Sequence, residues 1–84
     1  MFTEYVQAAM KHAEYEIIED DGRYYGHIPG LQGLWADGDT MEECQQTLRE
    51  CLEEWLMLGI RLGHEIPVID GIDLNRSITE SEAA

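Results

Sequence analysis

The longest regular pattern in the chain lies in residues 37–63, DGDTMEECQQTLRECLEEWLMLGIRLG. Its opening has the form of a capping box, in which Thr40 caps a helix and Glu43 bonds back to the Thr40 backbone amide. Apolar residues then recur three and four positions apart, as they do along one face of a helix. The predicted stripe consists of Met41, Cys44, Leu48, Cys51, Trp55, Leu58 and Leu62, widened by Leu52 and Leu56. We therefore predict a helix of about 22 residues that ends at Gly63.

The residues before this helix alternate in a way that favours a β-hairpin. Tyr15, Ile17 and Ile18 stand among glutamates, a pattern that predicts a strand with one face in water. Residues 20–22, DDG, supply the turn, and residues 23–28 carry the aromatic and β-branched side chains of a returning strand.

Three weaker signals complete the predicted elements. Residues 33–36 are expected to form a third short strand. Residues 66–69 are expected to form a brief fourth strand, which Pro67 confines to an edge or to the strand's start. Helical spacing near the N-terminus predicts a short first helix that is capped by Thr3 and extends through Ala13.

Together these elements predict one α+β domain over residues 1–72. It consists of a small antiparallel sheet of three to four strands, one long helix packed on the sheet and a short N-terminal helix. A chain of 84 residues has room for one core and not for two domains. Residues 73–84 have little to bury and are predicted to form an acidic, flexible tail.

The charge balance is the most unusual bulk property of the chain. Eighteen acidic side chains oppose five basic ones, which gives a formal net charge of -13. Phosphate backbones and anionic membranes are bound through lysine and arginine clusters that this composition lacks, so we expect neither direct DNA binding nor membrane binding. A basic protein partner would be attracted. The alternative is that the acidity only keeps a small protein soluble.

The two cysteines indicate a reducing, cytoplasmic location. Cys44 and Cys51 are seven residues apart in the predicted helix, so about 10 Å separates them along its axis. A disulfide needs Cα atoms within about 7 Å, and we therefore predict reduced thiols in the core. The longest apolar run, residues 55–60, is far shorter than the roughly 20 residues of a membrane span.

The sequence has no residue pattern typical of a catalytic or cofactor site. His12, His27 and His64 fall in three different elements without HExxH or CxxC spacing, so we predict no metal site. The glycines mark turns and helix ends rather than a phosphate-binding loop. We predict no catalytic residue, no cofactor and no enzymatic activity. The alternative from another class is a metal-dependent nuclease that uses clustered carboxylates.

Aromatic residues on neighbouring predicted strands indicate a contact surface. Successive strand residues point to opposite faces, so one of Tyr24 and Tyr25 points away from the long helix. Together with Trp35 it would form an exposed aromatic patch, and exposed tyrosine and tryptophan are favoured interface anchors. The alternative is that the outward tyrosine packs under the first helix.

Residues 24–44, YYGHIPGLQGLWADGDTMEEC, carry an ordered set of turn and capping signals. This segment closely resembles the HicB antitoxin family, whose pattern is a strand ending in Ile/Val-Pro, a Leu-x-Gly turn and Gly-Asp-Thr-x-Glu-Glu-Ala/Cys opening a long helix. The family's later Ile-Pro is matched by Ile66 and Pro67. The resemblance covers roughly two-thirds of the chain.

The resemblance implies a partial RNase H-like fold and the function of an antitoxin in a type II toxin-antitoxin system. HicB proteins bind HicA, a small basic ribonuclease that cleaves messenger RNA, and cover its active site. Many members carry a helix-turn-helix or ribbon-helix-helix domain after the matched part, whereas only residues 70–84 follow it here. The chain is similar in this respect to short, stand-alone HicB-like proteins, and we expect no direct operator binding.

Four residues are the candidates for partner contact: Tyr24, Trp35, Asp37 and Asp39. They lie on or beside the short predicted strands, where strand pairing or acidic contacts would form. The sheet edges also favour self-association, so a homo-dimer or tetramer is expected. The alternative function is a stand-alone homo-oligomeric HicB-like domain that has no toxin.

Overall fold

The computed structural model describes residues 2–75, which form two helices and three strands. In chain order these elements are α1 (Phe2–Lys11), β1 (Glu14–Ile17), β2 (Tyr24–His27), β3 (Trp35–Gly38) and α2 (Met41–Arg61). The strands make one antiparallel sheet in the order β1-β2-β3, with β2 in the centre. Side chains from both helices enter one apolar core with Ala36 of β3. The predicted α+β fold is confirmed, although β3 begins two residues later than expected.

Helix α2 begins with a capping arrangement that differs from the predicted one. The Thr40 hydroxyl accepts a hydrogen bond from the Glu43 backbone N–H at 3.1 Å, as a helix N-cap should. The Glu43 carboxylate accepts from the backbone N–H of Asp39, also at 3.1 Å, and not from that of Thr40. The reciprocal bond is thus displaced by one residue, and it ties the end of β3 to the start of α2.

The C-terminus of α2 follows the predicted glycine stop. Gly63 has a φ of +74°, the left-handed conformation that glycine adopts without steric cost. Its N–H donates to the Ile60 carbonyl at 3.1 Å, and the His64 N–H donates to the Gly59 carbonyl at 2.8 Å. These two bonds form a Schellman motif, which satisfies carbonyls that the ending helix leaves free.

The buried face of α2 is rotated from the predicted stripe. Leu58 and Leu62 were expected in the core, but they are 57% and 59% exposed. The buried positions recur mainly every four residues, and Leu52 and Leu56, expected only to widen the stripe, lie at their centre. The buried residues of α2 are Cys44, Leu48, Leu52, Leu56 and Gly59. Because a four-residue spacing advances slowly around the helix, the buried line slants along α2 as it crosses the sheet.

Small residues on the helix side of the sheet let α2 approach closely. A Cβ atom at Gly26 would lie 3.2 Å from the Cys44 Sγ and 2.8 Å from the ring of Tyr15. A Cβ at Gly38 would lie 2.6 Å from the backbone N of Cys44. Ala36 is 3% exposed. The first turn of α2 therefore rests directly on β2 and β3.

The predicted fourth strand is wrong: residues 66–69 do not pair with the sheet. The backbone N–H of Ile66 donates to the Asn75 side-chain oxygen at 2.8 Å, and the Asn75 amide donates to the Ile66 carbonyl. A side chain thus satisfies the groups that a strand would have paired, and Pro67 has no N–H to offer. Ile69 and Ile72 form only an isolated bridge.

The two ends of the described chain also differ from expectation. Helix α1 already includes Thr3, which is therefore not its N-cap, and it ends before Ala13. Leu74 is 3% exposed within the core, so packing continues beyond residue 72. The rest of the predicted tail, residues 76–84, lies outside the described residues.

Candidate functional site

One face of the sheet carries no helix, and we call it the open sheet face. The strand register pairs Glu14 with His27 and Glu16 with Tyr25, and then His27 with Trp35 and Tyr25 with Asp37. Directly paired residues point to the same side of a sheet. The open sheet face therefore consists of Glu14, Glu16, Tyr25, His27, Trp35 and Asp37.

Aromatic rings form the centre of the open sheet face. Tyr25 and Trp35 stack diagonally across β2 and β3, with ring centroids 5.7 Å apart and an interplanar angle of 23°. Tyr25 is also 6.0 Å from the ring of His27. Trp35 is 55% exposed. The outward tyrosine is thus Tyr25, and it stacks on Trp35 rather than packing under α1.

Charged side chains border these rings. The Arg23 guanidinium lies 3.4 Å from the Asp37 carboxylate and forms a second ion pair with Asp39. The side-chain hydrogen bond to Asp37, together with the negative charges of Asp39 and Asp37, raises the pKa of Arg23. On the other side, the Glu14 carboxylate lies 3.3 Å from His27 Nε2. Carboxylates therefore flank the rings, and Arg23 provides the nearby positive charge on the β3 side.

The loop between β2 and β3 closes one end of the open sheet face. Its residues Ile28, Leu31 and Leu34 are buried, and the Trp55 indole N–H donates to the Gln32 carbonyl at 3.2 Å. A shallow depression of about 260 Å³ lies between this loop and Trp35. The loop is held by the core and by α2, so the depression is a fixed part of the surface.

The structure brings together three of the four predicted contact residues. Trp35 and Asp37 lie on the open sheet face, and Asp39 lies beside it through its ion pair with Arg23. Tyr24 does not join them, because it is paired with Ile17 and Gly38 and points to the helix side.

Sequence reasoning did not select the other members of this face, Glu14, Glu16, Tyr25 and His27. The alternation of β1 predicted a wet face with glutamates on it, but it did not predict which residues of β2 lie opposite. The hairpin register settles that question, and a shift of one residue would have exchanged Tyr24 for Tyr25.

The cysteines are free thiols. Cys44 is buried and donates to the Ala36 carbonyl at 3.7 Å, and Cys51 is partly buried. Burial, with a smaller contribution from nearby carboxylates, raises the pKa of both thiols. A raised pKa disfavours the reactive thiolate, so both residues behave as core side chains.

Residues 2–75 contain neither a cluster of metal-ligating side chains nor a membrane-spanning helix. Within residues 2–75, no three His, Cys, Asp or Glu side chains are grouped so that they could hold a metal ion. Neither of the helices described there is both long and apolar enough to cross a membrane.

These features define a small α+β domain with one acidic, aromatic sheet face, and comparison with known proteins gives its family. Residues 4–67 match the UPF0150-like family, and the chain belongs to that family.

Two relatives illustrate this membership. A stretch of 46 residues is 41% identical to UPF0150 protein ssr1258 of Synechocystis sp., covering 48% of this chain and 67% of that protein. The crystal structure of TTHA0281 from Thermus thermophilus is similar with a TM-score of 0.77 and 38% identity, over 84% of this chain and 88% of that chain.

Proposed function

We propose that this protein is a HicB-like antitoxin that binds a small basic HicA-like ribonuclease and covers its active site. The open sheet face is the proposed contact surface. The observation that carries this proposal is the exposed Tyr25–Trp35 stack, which is bordered by carboxylates on both sides. Membership of the UPF0150-like family and the resemblance of residues 24–44 to HicB proteins support it.

Charge supports a basic partner. A chain of net charge -13 draws a basic protein toward it and repels RNA, the substrate with which it would compete at the ribonuclease. Glu14, Glu16 and Asp37 lie on the open sheet face and Asp39 lies beside it, and Arg23 is the positively charged side chain that pairs with the two aspartates. In the complex, these carboxylates would contact the partner's lysine and arginine side chains, at the positions that RNA phosphates otherwise occupy.

The aromatic stack would add binding affinity to the attraction between opposite charges. Interface hot spots are enriched in tryptophan and tyrosine at the centre, with polar groups around them. Trp35 and Tyr25 have that position, and their mutual stacking holds both rings before a partner arrives. A partner would therefore order few additional side chains on binding.

The edge of β3 offers a second mode of contact. In the described sheet, β3 pairs on one side only, with β2. An unpaired strand edge presents backbone N–H and C=O groups that a partner strand can use. Inhibition of this kind needs complementary surface and no catalytic group, so we propose that the protein acts without catalysis.

Co-purification tests the proposal. The tagged protein would be isolated from its native cells at low and high salt, and any retained small basic protein would be assayed for messenger RNA cleavage before and after separation. The expected result is a retained ribonuclease whose activity appears only on separation. Isolation of the protein alone at both salts would contradict the antitoxin function and favour a stand-alone homo-oligomer.

Matched charge reversals locate the contact. The double variant Glu16→Lys/Asp37→Lys reverses two charges on the open sheet face. The control Glu19→Lys/Glu65→Lys reverses two charges at exposed positions outside that face, so both double variants change the net charge equally. We expect the first pair to weaken inhibition of the retained ribonuclease strongly, and the second to weaken it only as far as bulk charge does. Equal losses for the two pairs would show that the open sheet face is not the contact.

A further inference from the structure

The exposed side of α2 changes character along its length. Its N-terminal part is acidic, with the glutamates at positions 42, 43, 50, 53 and 54. Its C-terminal end instead presents Met57, Leu58 and Leu62, which are 58%, 57% and 59% exposed. Beside them, Phe2 and Ile60 line an apolar depression of about 520 Å³ that also contacts Arg61. These residues together form what we call the α2 end patch: Phe2, Met57, Leu58, Ile60, Arg61 and Leu62.

Three large apolar side chains so exposed on one helix end indicate an interaction surface. They do not serve the core, because the buried line of α2 passes through Leu52, Leu56 and Gly59 on the opposite side. They also lie away from the open sheet face, because α2 covers the other side of the sheet. The α2 end patch is therefore separate from the proposed partner-binding surface.

The charges around the patch are arranged symmetrically. Glu54 lies three to four residues before Met57 and Leu58, and Arg61 lies three to four residues after them. Residues seven positions apart lie near one face of a helix, about 10.5 Å apart along its axis. Within the described residues Arg61 makes no ion pair, whereas the nearby Glu53 is paired with Arg49.

From this arrangement we propose that the α2 end patch binds a second copy of the chain, with the two α2 helices antiparallel. A two-fold axis near Met57 and Leu58 brings Arg61 of each copy to Glu54 of the other. Such an isologous contact pairs one patch with itself, which is the commonest symmetry of soluble oligomers.

Net charge explains why this surface suits self-association. Two copies that each carry a charge of -13 repel one another over most of their surfaces. At the α2 end patch the contact is apolar at its centre, and each glutamate at its border meets an arginine. Leu58 of the second copy would lie opposite Met57 and enter the depression beside Phe2. The open sheet faces of both copies stay accessible, so the dimer would be bivalent for a partner.

Charge reversal and exchange test the proposal by sedimentation velocity over about 1 to 200 μM, a range suited to a small interface. Wild type is expected to dimerise. Glu54→Arg or Arg61→Glu alone places like charges together and should raise the dissociation constant about tenfold or more. The double variant Glu54→Arg/Arg61→Glu restores opposite charges across the two-fold axis and should dimerise again. Glu19→Arg, which changes the charge as Glu54→Arg does but lies in an exposed turn, is the control.

Three outcomes would overturn the proposal: a monomeric wild type throughout this range, a dimer that neither single reversal weakens, or a double variant that stays as weak as the single ones. Circular dichroism of each variant checks folding, and all three positions are exposed. A dimer that is lost only when Trp35 is replaced would place self-association at the open sheet face and contradict the proposal. None of these results depends on whether a ribonuclease partner exists.

Discussion

The rings of Tyr25 and Trp35 stack across β2 and β3 with their centroids 5.7 Å apart, on the face of the sheet that no helix covers. Stacked pairs of this kind contribute about 1 kcal/mol to stability. Because Trp35 is 55% exposed, Trp35→Ala removes this stack and only part of a buried ring, and it should lower the free energy of unfolding by about 1 to 3 kcal/mol.

The same change should weaken binding of the proposed ribonuclease about thirtyfold or more, since loss of a central tryptophan anchor costs about 2 kcal/mol. Calorimetric titration measures this loss. Val68→Ala is the matched control, because Val68 is 57% exposed and lies outside the sheet. A Trp35→Ala variant that binds as tightly as the control would contradict the role of the stack.

Gly26 is predicted to tolerate no side chain. An added Cβ would lie 2.8 Å from the Tyr15 ring and 3.2 Å from the Cys44 Sγ, so Gly26→Ala should destabilise the fold by about 1 to 3 kcal/mol. Gly59→Ala is the comparison, because its Cβ would meet only the flexible end of Ile66 at 3.0 Å and alanine favours a helix. Urea unfolding should rank Gly26→Ala well below Gly59→Ala, and equal stabilities would contradict the close approach of α2.

Tyr5 should make stability depend on pH in the alkaline range. It is fully buried, and burial raises its pKa from 10.0 to about 12. A group whose pKa is higher in the folded state contributes stability below its unfolded pKa and loses that contribution as pH rises through the folded value. Between pH 10 and 12, Tyr5 is therefore deprotonated in the unfolded chain but still protonated in the folded protein. By pH 11 this difference should lower the free energy of unfolding of wild type by about 1.4 kcal/mol.

The Tyr5→Phe variant isolates this effect. It removes the hydrogen bond to the Pro67 carbonyl, so at pH 8 it should be less stable than wild type by about 1 kcal/mol. At pH 11 the difference should vanish or reverse, because phenylalanine does not titrate. An unchanged difference between the two pH values, measured by urea unfolding, would contradict this account of Tyr5.

Leu48 and Leu58 look equivalent in the sequence but should differ sharply on substitution. Leu48 is fully buried, and Leu48→Ala should cost about 2 to 5 kcal/mol. Leu58 is 57% exposed, so Leu58→Ala should cost under about 1 kcal/mol in folding and weaken the proposed dimer instead. Thermal unfolding of dilute protein, where dimer does not contribute, separates the two effects. Similar losses of stability would contradict the orientation of α2.

Much of the fold follows from local signals, and the orientation of its parts does not. The Thr40 cap and the Gly63 stop predicted α2 to within a residue at each end, because both rest on backbone hydrogen bonds between near neighbours. The rotation of α2 depends on packing against the sheet, where Gly26 meets Cys44 although the two residues are far apart in sequence. That is why Leu58 was wrongly expected in the core.

The same limit applies to the candidate site. Trp35 was selected from the predicted third strand and Asp37 from the turn predicted beside it, and the observed register places both on one face. Tyr24 was selected in place of Tyr25 because alternation gives two faces without saying which one the helix covers. The bonds between Asn75 and Ile66, nine residues apart, have no signature in the sequence, and they replace the strand that residues 66–69 were expected to form.

Footprinting of the complex tests most directly the claim that the open sheet face binds the partner. Hydroxyl radicals would oxidise exposed Trp35 and Met57 in the free protein and in its complex with the retained ribonuclease. We predict that Trp35 and Tyr25 become protected while Met57 reacts as it does in the free protein. Unchanged oxidation of Trp35, with protection at Met57 or elsewhere on α2, would contradict the account.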